Sequence, residues 1–347
     1  MGALTPRILL GLEDRMNIIV EREYARLGST TWWQDVATTR TSTGQREFIT
    51  WMLNTAMIRD LGKSAGNLKF SDLVSKYTEI ENKFAGEGFM LTKAQLTDTD
   101  GGGIDLAAEW ASQIGAYMAY WPQKQVAHVL KNGHTASLYT GYDGKALFAT
   151  DHPVNPADTS IGTPFQNIFT STASGSYPGA CPIDDGVTVD VALQNLGKIF
   201  GYIASIKMPN GVDPRGLEPS TIICPPRMYP RVLQLTNAKV IAQAAATGGG
   251  GADVEALITG LGYGQPKMAA ELAGFENDTT FFVVAKQKVG SALGAIVYQE
   301  REAFQMASYG PMDESRLGRM QSFEWQVHGR NAVAAGHPYL IFKCKAT

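Results

Sequence analysis

The stretch from residue 55 to residue 97 constrains this chain more than any other. It is long, polar and charge-balanced, with Arg59, Lys63, Lys69, Lys76 and Lys83 standing against Asp60, Asp72, Glu79, Glu81 and Glu87. Phe89 to Leu96 alternates in the manner of a strand, and Val74 to Ile80 is the segment expected to pair with it. A ribbon this long with so few large apolar side chains has no core of its own. It is either a loose excursion or an arm that lies on a neighbour.

The rest of the chain is well able to fold. Hydrophobic residues make up 44% of its 347 residues, enough for a sizeable core and roughly two domains, or one with insertions. Charged residues are only 18%, against about 25% in an average soluble protein, and the net charge is −3. That balance excludes a disordered chain and a nucleic-acid binder that works by bulk positive charge. When charge is scarce, other copies of the chain can cover surface that would otherwise need it; Ser, Thr, Asn and Gln are the other way to solvate it. No apolar run approaches the roughly 20 residues that span a bilayer. The first residues lack the layout of a signal peptide, and Pro6 breaks the myristoylation pattern that Met1-Gly2 begins. Cys181, Cys224 and Cys344 are scattered, which fits neither a disulfide framework nor a zinc site. They read as small buried hydrophobes in a reducing compartment.

Along the chain, residues 8–27 read as an amphipathic helix ended by Gly28. Residues 28–47 are rich in Thr and Ser and carry Trp32 next to Trp33, so at least one tryptophan needs a second surface to cover it. After Gly101-Gly102-Gly103 comes the clearest helix, with Ile104, Ala107, Ala108, Ala111, Ile114 and Met118 at steps of three and four. Pro122 bends or ends it, and Val126, Val129 and Leu130 continue the stripe to Gly133. Ala146 to Gly197 contains no Lys or Arg, and residues 158–180 read as a long loop or insertion. Helices are expected over about 193–206 and 228–246, and strands over 221–224, 279–286, 294–300, 324–335 and 338–345. The order is mixed, giving an α+β fold.

Four motifs hint at chemistry. Gly62-Lys63-Ser64-Ala65-Gly66 matches G-x-S-x-G, but it sits inside the polar ribbon, without the buried strand and helix of a nucleophile elbow. Gly141-Tyr142-Asp143-Gly144-Lys145-Ala146 is too short for a P-loop, and Ala146 replaces the magnesium-binding hydroxyl. Asp143-Gly144 reads instead as a turn joining two strands. Asp151-His152-Pro153 could hold a metal or move protons, or His152 could be a hydrogen-bonded structural histidine. Gly248 to Gly251 lies in a stretch without a cation, which argues against phosphate binding. A charge-poor glycine loop is what a rotation axis tolerates, because each loop there meets its own image. No constellation supports catalysis, a cofactor or a metal site.

Several of these residues carry a family resemblance. Trp51-Met52-Leu53, the ribbon segment Tyr77 to Phe84, the helix from Ala107 to Leu130, Asn132-Gly133, and Tyr142 through Phe148-Ala149-Thr150-Asp151-His152-Pro153 resemble the major head subunit of Mu-like tailed phages. The resemblance runs from about Trp51 to Pro153, and Gly86-Glu87-Gly88 departs from the plain strand expected there. It implies the Hong Kong 97-type capsid fold: an N-terminal arm at 1–50, an extended loop with its flanking strands at 51–100, a peripheral domain with a spine helix and an insertion at 101–186, an axial domain at 187–300 and returning strands at 301–347. It also implies a major capsid protein of a tailed double-stranded DNA phage, forming pentamers and hexamers of an icosahedral head. Implied partners are a portal, a protease, non-specifically held DNA and a decoration protein, with assembly in the bacterial cytoplasm. No highly charged helical segment precedes residue 50, so a separately encoded scaffold is expected. Inter-subunit contacts are expected at Trp32, Trp33, Tyr77, Phe84, Gly249 and Gly250. The alternatives are a cellular nanocompartment shell protein of the same fold, and a hydrolase using Ser64 or Asp151 and His152.

Overall fold

The computed structural model describes residues 6–53, 74–92, 94–95, 102–169, 178–237, 266–288, 293–309 and 322–345. Helix α1 spans Pro6–Gly28 and α2 spans Gly102–Asn132. Leu12, Met16 and Val20 of α1 bury against Ala107, Ala111, Ile114 and Met118 of α2. The alanines of α2 are small enough to let the two helices close on each other. Asp105 in the first turn of α2 and Lys131 in its last suit the helix dipole. Pro122 leaves α2 continuous: Trp121 donates from Nε1 to Asn331 Oδ1 at 2.9 Å, and Gln123 Oε1 accepts the Trp32 amide at 2.9 Å.

Strands β1 (Ala37–Thr41), β2 (Arg46–Met52), β3 (Ser75–Glu81) and β4 (Lys83–Thr92) follow α1 in sequence but do not form one meander. β9 (Ile296–Tyr309) and β10 (Ser322–Ala335) are an antiparallel pair; β1 adds parallel to β9, and β4 adds antiparallel to β10. β2 and β3 make a separate two-stranded sheet. The expected hairpin between 74–80 and 89–96 is therefore corrected. β3 turns back onto β2, with Ile49, Trp51 and Ile80 buried beneath the pair. β4 leaves in the other direction and covers β10, where Leu91 joins Phe323, Trp325 and Val327 over the α1–α2 helices. Local alternation cannot reveal pairing between strands so far apart in sequence. Gly86 is part of β4, where a Cβ would collide with the Val327 carbonyl, so the glycine permits the strand to close on β10.

The second body is a five-stranded sheet in the order β5 (Ile168–Phe169), β11 (Ile341–Lys345), β8 (Thr280–Gln287), β6 (Leu217–Cys224) and β7 (Lys267–Met268). β8 is central and buried from Thr280 to Ala285, which explains its unbroken apolar run. Helix α3 (Val189–Ser205) starts at Thr188, whose hydroxyl accepts from the Val191 amide, and packs Leu196, Ile199, Phe200 and Ile203 into the core. The short α4 (Tyr229–Asn237) adds Val232 and Leu235. The expected helix to 246 thus runs to Asn237 within the described residues. The described part of 158–180 is mostly irregular, but it is tied to the core: Phe165 bridges to His152, and Ile168 and Phe169 form the short β5 against β11. All three cysteines are free and buried.

Candidate assembly interface

The segment 142–153 is held by a buried polar knot. Gly144, at φ +83°, closes a turn in which the Gly144 amide donates to the Gly141 carbonyl at 3.0 Å. This is the turn expected at Asp143-Gly144, although the flanking residues Thr140 and Ala146 form a single bridge rather than two strands. Asp143 Oδ1 accepts from the Lys145 amide, and its Oδ2 meets His152 Nδ1 at 2.5 Å. His152 Nε2 faces Asn167 Oδ1 at 3.2 Å, and the ring stacks on Phe165. Asn167 also accepts from the Ala149 amide, and its Nδ2 donates to the carbonyls of Leu147 at 2.6 Å and Pro338 at 2.9 Å. Both His152 nitrogens face acceptors and the ring is fully buried, so no lone pair is free for a metal or a substrate proton. Asp151 instead pairs with Lys145. The two halves of the proposed Asp151–His152 dyad therefore diverge, which removes that hydrolase reading. Ser64 lies outside the described residues.

Beside the knot is an aromatic cluster. Trp51 of β2 stacks on Tyr142 with centroids 4.9 Å apart, and His337 stands edge-on to both. The Arg215 guanidinium lies 3.8 Å from the centre of the Tyr339 ring. Burial, reinforced by nearby Arg215, pushes the His337 imidazole down to about 3, and burial drives the Tyr142 hydroxyl upward. This cluster ties the β2–β3 sheet to the rest of the chain. Asn167, Arg215 and His337 were not singled out in the sequence, where each is an isolated polar residue with no spacing signal.

The residues expected at subunit contacts separate into three groups. Trp32 is 4% exposed and Trp33 8%, both within this chain's own core. The short 3-10 turn Trp33–Asp35 aims them apart: Trp32 Nε1 donates to Glu271 Oε2, and Trp33 packs on Tyr298 at 5.2 Å. The second surface they require is thus internal, and the expectation of an aromatic anchor on a neighbour is corrected. Tyr77 and Phe84 are 67% and 70% exposed. Tyr77 meets the exposed Phe48 edge-to-face at 5.3 Å, forming an apolar knuckle on the outer face of β2–β3. Arg330 covers one face of Phe84 at 3.7 Å. Gly249 and Gly250 lie outside the described residues. Between α2 and the β3–β4 connection lies an open groove of about 1650 Å³, lined by Tyr117, Tyr120, Lys124 and Phe84 among others.

Among solved structures, the capsid of Cyanophage P-SCSP1u aligns over 91% of this chain and 88% of its own, with a TM-score of 0.56 at 14% identity. The capsid of Myoviridae Phage XM1 aligns over 88% and 86%, with a TM-score of 0.51 at 10% identity. The mature capsid of bacteriophage PhiM1 aligns over 91% and 86%, with a TM-score of 0.50 at 13% identity. A comparison with curated proteins finds no match. The α+β architecture is that of tailed-phage capsid proteins, the Hong Kong 97 type. Residues 15–177 match the model of the family described as Mu-like prophage major head subunit gpT, a span that includes α2, the β2–β3 sheet and the whole Asp143–His152–Asn167 knot. The fold and the match over 15–177 together support a tailed-phage major capsid protein, a component of the virion. Among the described residues, no helix is long and apolar enough to cross a membrane.

Proposed function

We propose that this chain forms the pentamers and hexamers of an icosahedral head around packaged double-stranded DNA. The observation that carries the reading is the Mu-like head-subunit match over 15–177, falling on the elements that this fold assembles around α2. In this reading α2 is the spine helix of a peripheral domain at 101–186, completed by the returning strands at 301–347. Residues 187–300 are the axial domain, and Gly249 and Gly250, which lie outside the described residues, are the positions assigned to its axis. Residues 51–100 are the extended loop, whose β2–β3 base presents Tyr77 to an adjacent subunit. Residues 1–50 retain the role of an arm only in part, since α1 and β1 pack on their own chain. Repetition multiplies modest single contacts into a stable shell.

The portal, a separately encoded scaffold, a protease, DNA held without sequence preference and a decoration protein complete the assembly. The test is expression of the chain, alone and with the scaffold encoded beside it, followed by gel filtration and negative-stain microscopy. Closed shells of uniform diameter support the reading. A discrete small oligomer in both preparations overturns it.

A further inference from the structure

The groove beside α2 has a built-in polarity. Tyr117, Tyr120, Lys124, His128 and Lys131 fall at steps of three and four, so they form one stripe on the exposed side of the helix. Buried Val126, Val129 and Leu130 occupy the opposite side. Lys83 stands across the groove, beside exposed Phe84 and its Arg330. Among the described residues, Lys83, Lys124 and Lys131 have no carboxylate partner. The carboxylates that share the groove are engaged: Glu79 and Glu81 by Arg46, and Glu271 by Trp32 and Gln123. Three lysines and Arg46 thus face three carboxylates, so the groove is aromatic with a small net positive charge concentrated on the lysine stripe.

The same chain carries the complementary surface. Between Ala146 and Gly197 there is no Lys or Arg. Within that stretch Asp184, Asp185 and Asp190 surround the start of α3, and Asp185 and Asp190 are exposed. None of the three has a cationic partner among the described residues. Internal pairing leaves both surfaces with charge of opposite sign.

We propose that the lysine stripe of α2 receives the acidic turn at Asp184–Asp190 of a neighbouring copy. The inference rests on the shell-forming reading and names one contact within it. The two surfaces belong to different elements, so the contact can repeat head-to-tail, and where the rotation between copies closes it forms a ring. Charge complementarity of this kind sets register and rejects the wrong face, while the tyrosines supply apolar area. Duplex DNA is the competing occupant for a lysine stripe, but the groove is concave and walled by the β3–β4 connection, a shape that admits a turn more readily than a duplex.

The experiment compares wild type with Lys124→Glu/Lys131→Glu, with Asp184→Lys/Asp185→Lys, and with all four changes combined. Circular dichroism checks folding, and sedimentation against protein concentration reads assembly. Each reversal alone should raise the concentration needed for assembly by about tenfold or more, and the combination should bring it back to within roughly threefold of wild type. Rescue by the combination supports the contact, because reversals that merely damaged folding would add rather than cancel. Shells that form normally from either single reversal overturn the contact and leave the proposed function standing. Loss without rescue also overturns it. Loss of duplex-DNA binding by Lys124→Glu/Lys131→Glu in a gel-shift assay, with assembly unchanged, assigns the stripe to DNA instead. Failure of the wild-type chain to form any shell, with the scaffold present as well as alone, counts against the proposed function itself.

Discussion

Replacing Asn167 by Ala should destabilise the chain far more than the loss of one surface amide. The Asn167 side chain is fully buried and engages four partners: the Ala149 amide, His152 Nε2 and the carbonyls of Leu147 and Pro338. Each neutral hydrogen bond contributes about 1 kcal/mol net, and a buried partner left unpaired costs about 1–3 kcal/mol. Four bonds therefore put the loss at about 4 kcal/mol or more, a large fraction of the roughly 5–15 kcal/mol of a typical domain. Urea unfolding of the full chain, followed by tryptophan fluorescence, measures the difference. Asn167→Asp is the informative companion. It keeps the acceptor but turns an oxygen toward the Leu147 and Pro338 carbonyls, so it should be at least as harmful as alanine at neutral pH. A loss below about 1 kcal/mol for Asn167→Ala, or an Asp variant close to wild type, would refute the view that this amide locks 147–152 to the turn at Pro338.

Three further outcomes are expected. The His337 ring is held neutral down to about 3, well below its ordinary value, so the unfolded chain takes up a proton first as pH falls. His337 therefore contributes stability that is complete above about pH 6.5 and is lost between there and about pH 3, at up to about 1.4 kcal/mol per pH unit. Urea unfolding of His337→Phe across that range should show a shallower pH dependence than wild type, and an unchanged slope would contradict the assignment. Gly115 lets α1 approach α2, since a Cβ there would lie 2.7 Å from the Val20 carbonyl oxygen. Gly115→Val should release α1, seen as faster proteolysis within residues 11–28, and equal protease resistance would show that α1 adjusts without detaching. Phe48→Ser/Tyr77→Ser removes the exposed knuckle, so unfolding should move by less than about 0.5 kcal/mol per site while assembly weakens. Undiminished assembly by light scattering would show that the knuckle is not a contact.

Elements with a strong local period were legible in the sequence. The stripe of α2 and the apolar run of β8 follow directly from side-chain spacing, and their limits differ from the expected ones by only a few residues. Partnership was not legible. β3 and β4 are adjacent in sequence and yet serve different sheets, and nothing in Val74 to Leu96 encodes that Trp51 waits for β3 or Phe323 for β4. The adjacent tryptophans correctly signalled two surfaces, but both belong to the chain itself. At the knot, His152 was visible as a hydrogen-bonded histidine, whereas its partner is Asp143 across the turn rather than its neighbour Asp151. Asn167 escaped notice because an amide that bonds backbone groups from two distant segments leaves no motif.

The three cysteines have a practical consequence. Burial pushes the Cys224 thiol up to about 12 and the Cys344 thiol well above its ordinary range, and raises that of Cys181. Thiols so rarely ionised and so poorly reached resist maleimides and mild oxidants. A single cysteine introduced in an exposed loop, for example at Val212, would then be the one reactive handle per subunit. Dyes or cargo could be attached there in fixed stoichiometry without first deleting the native sulfurs.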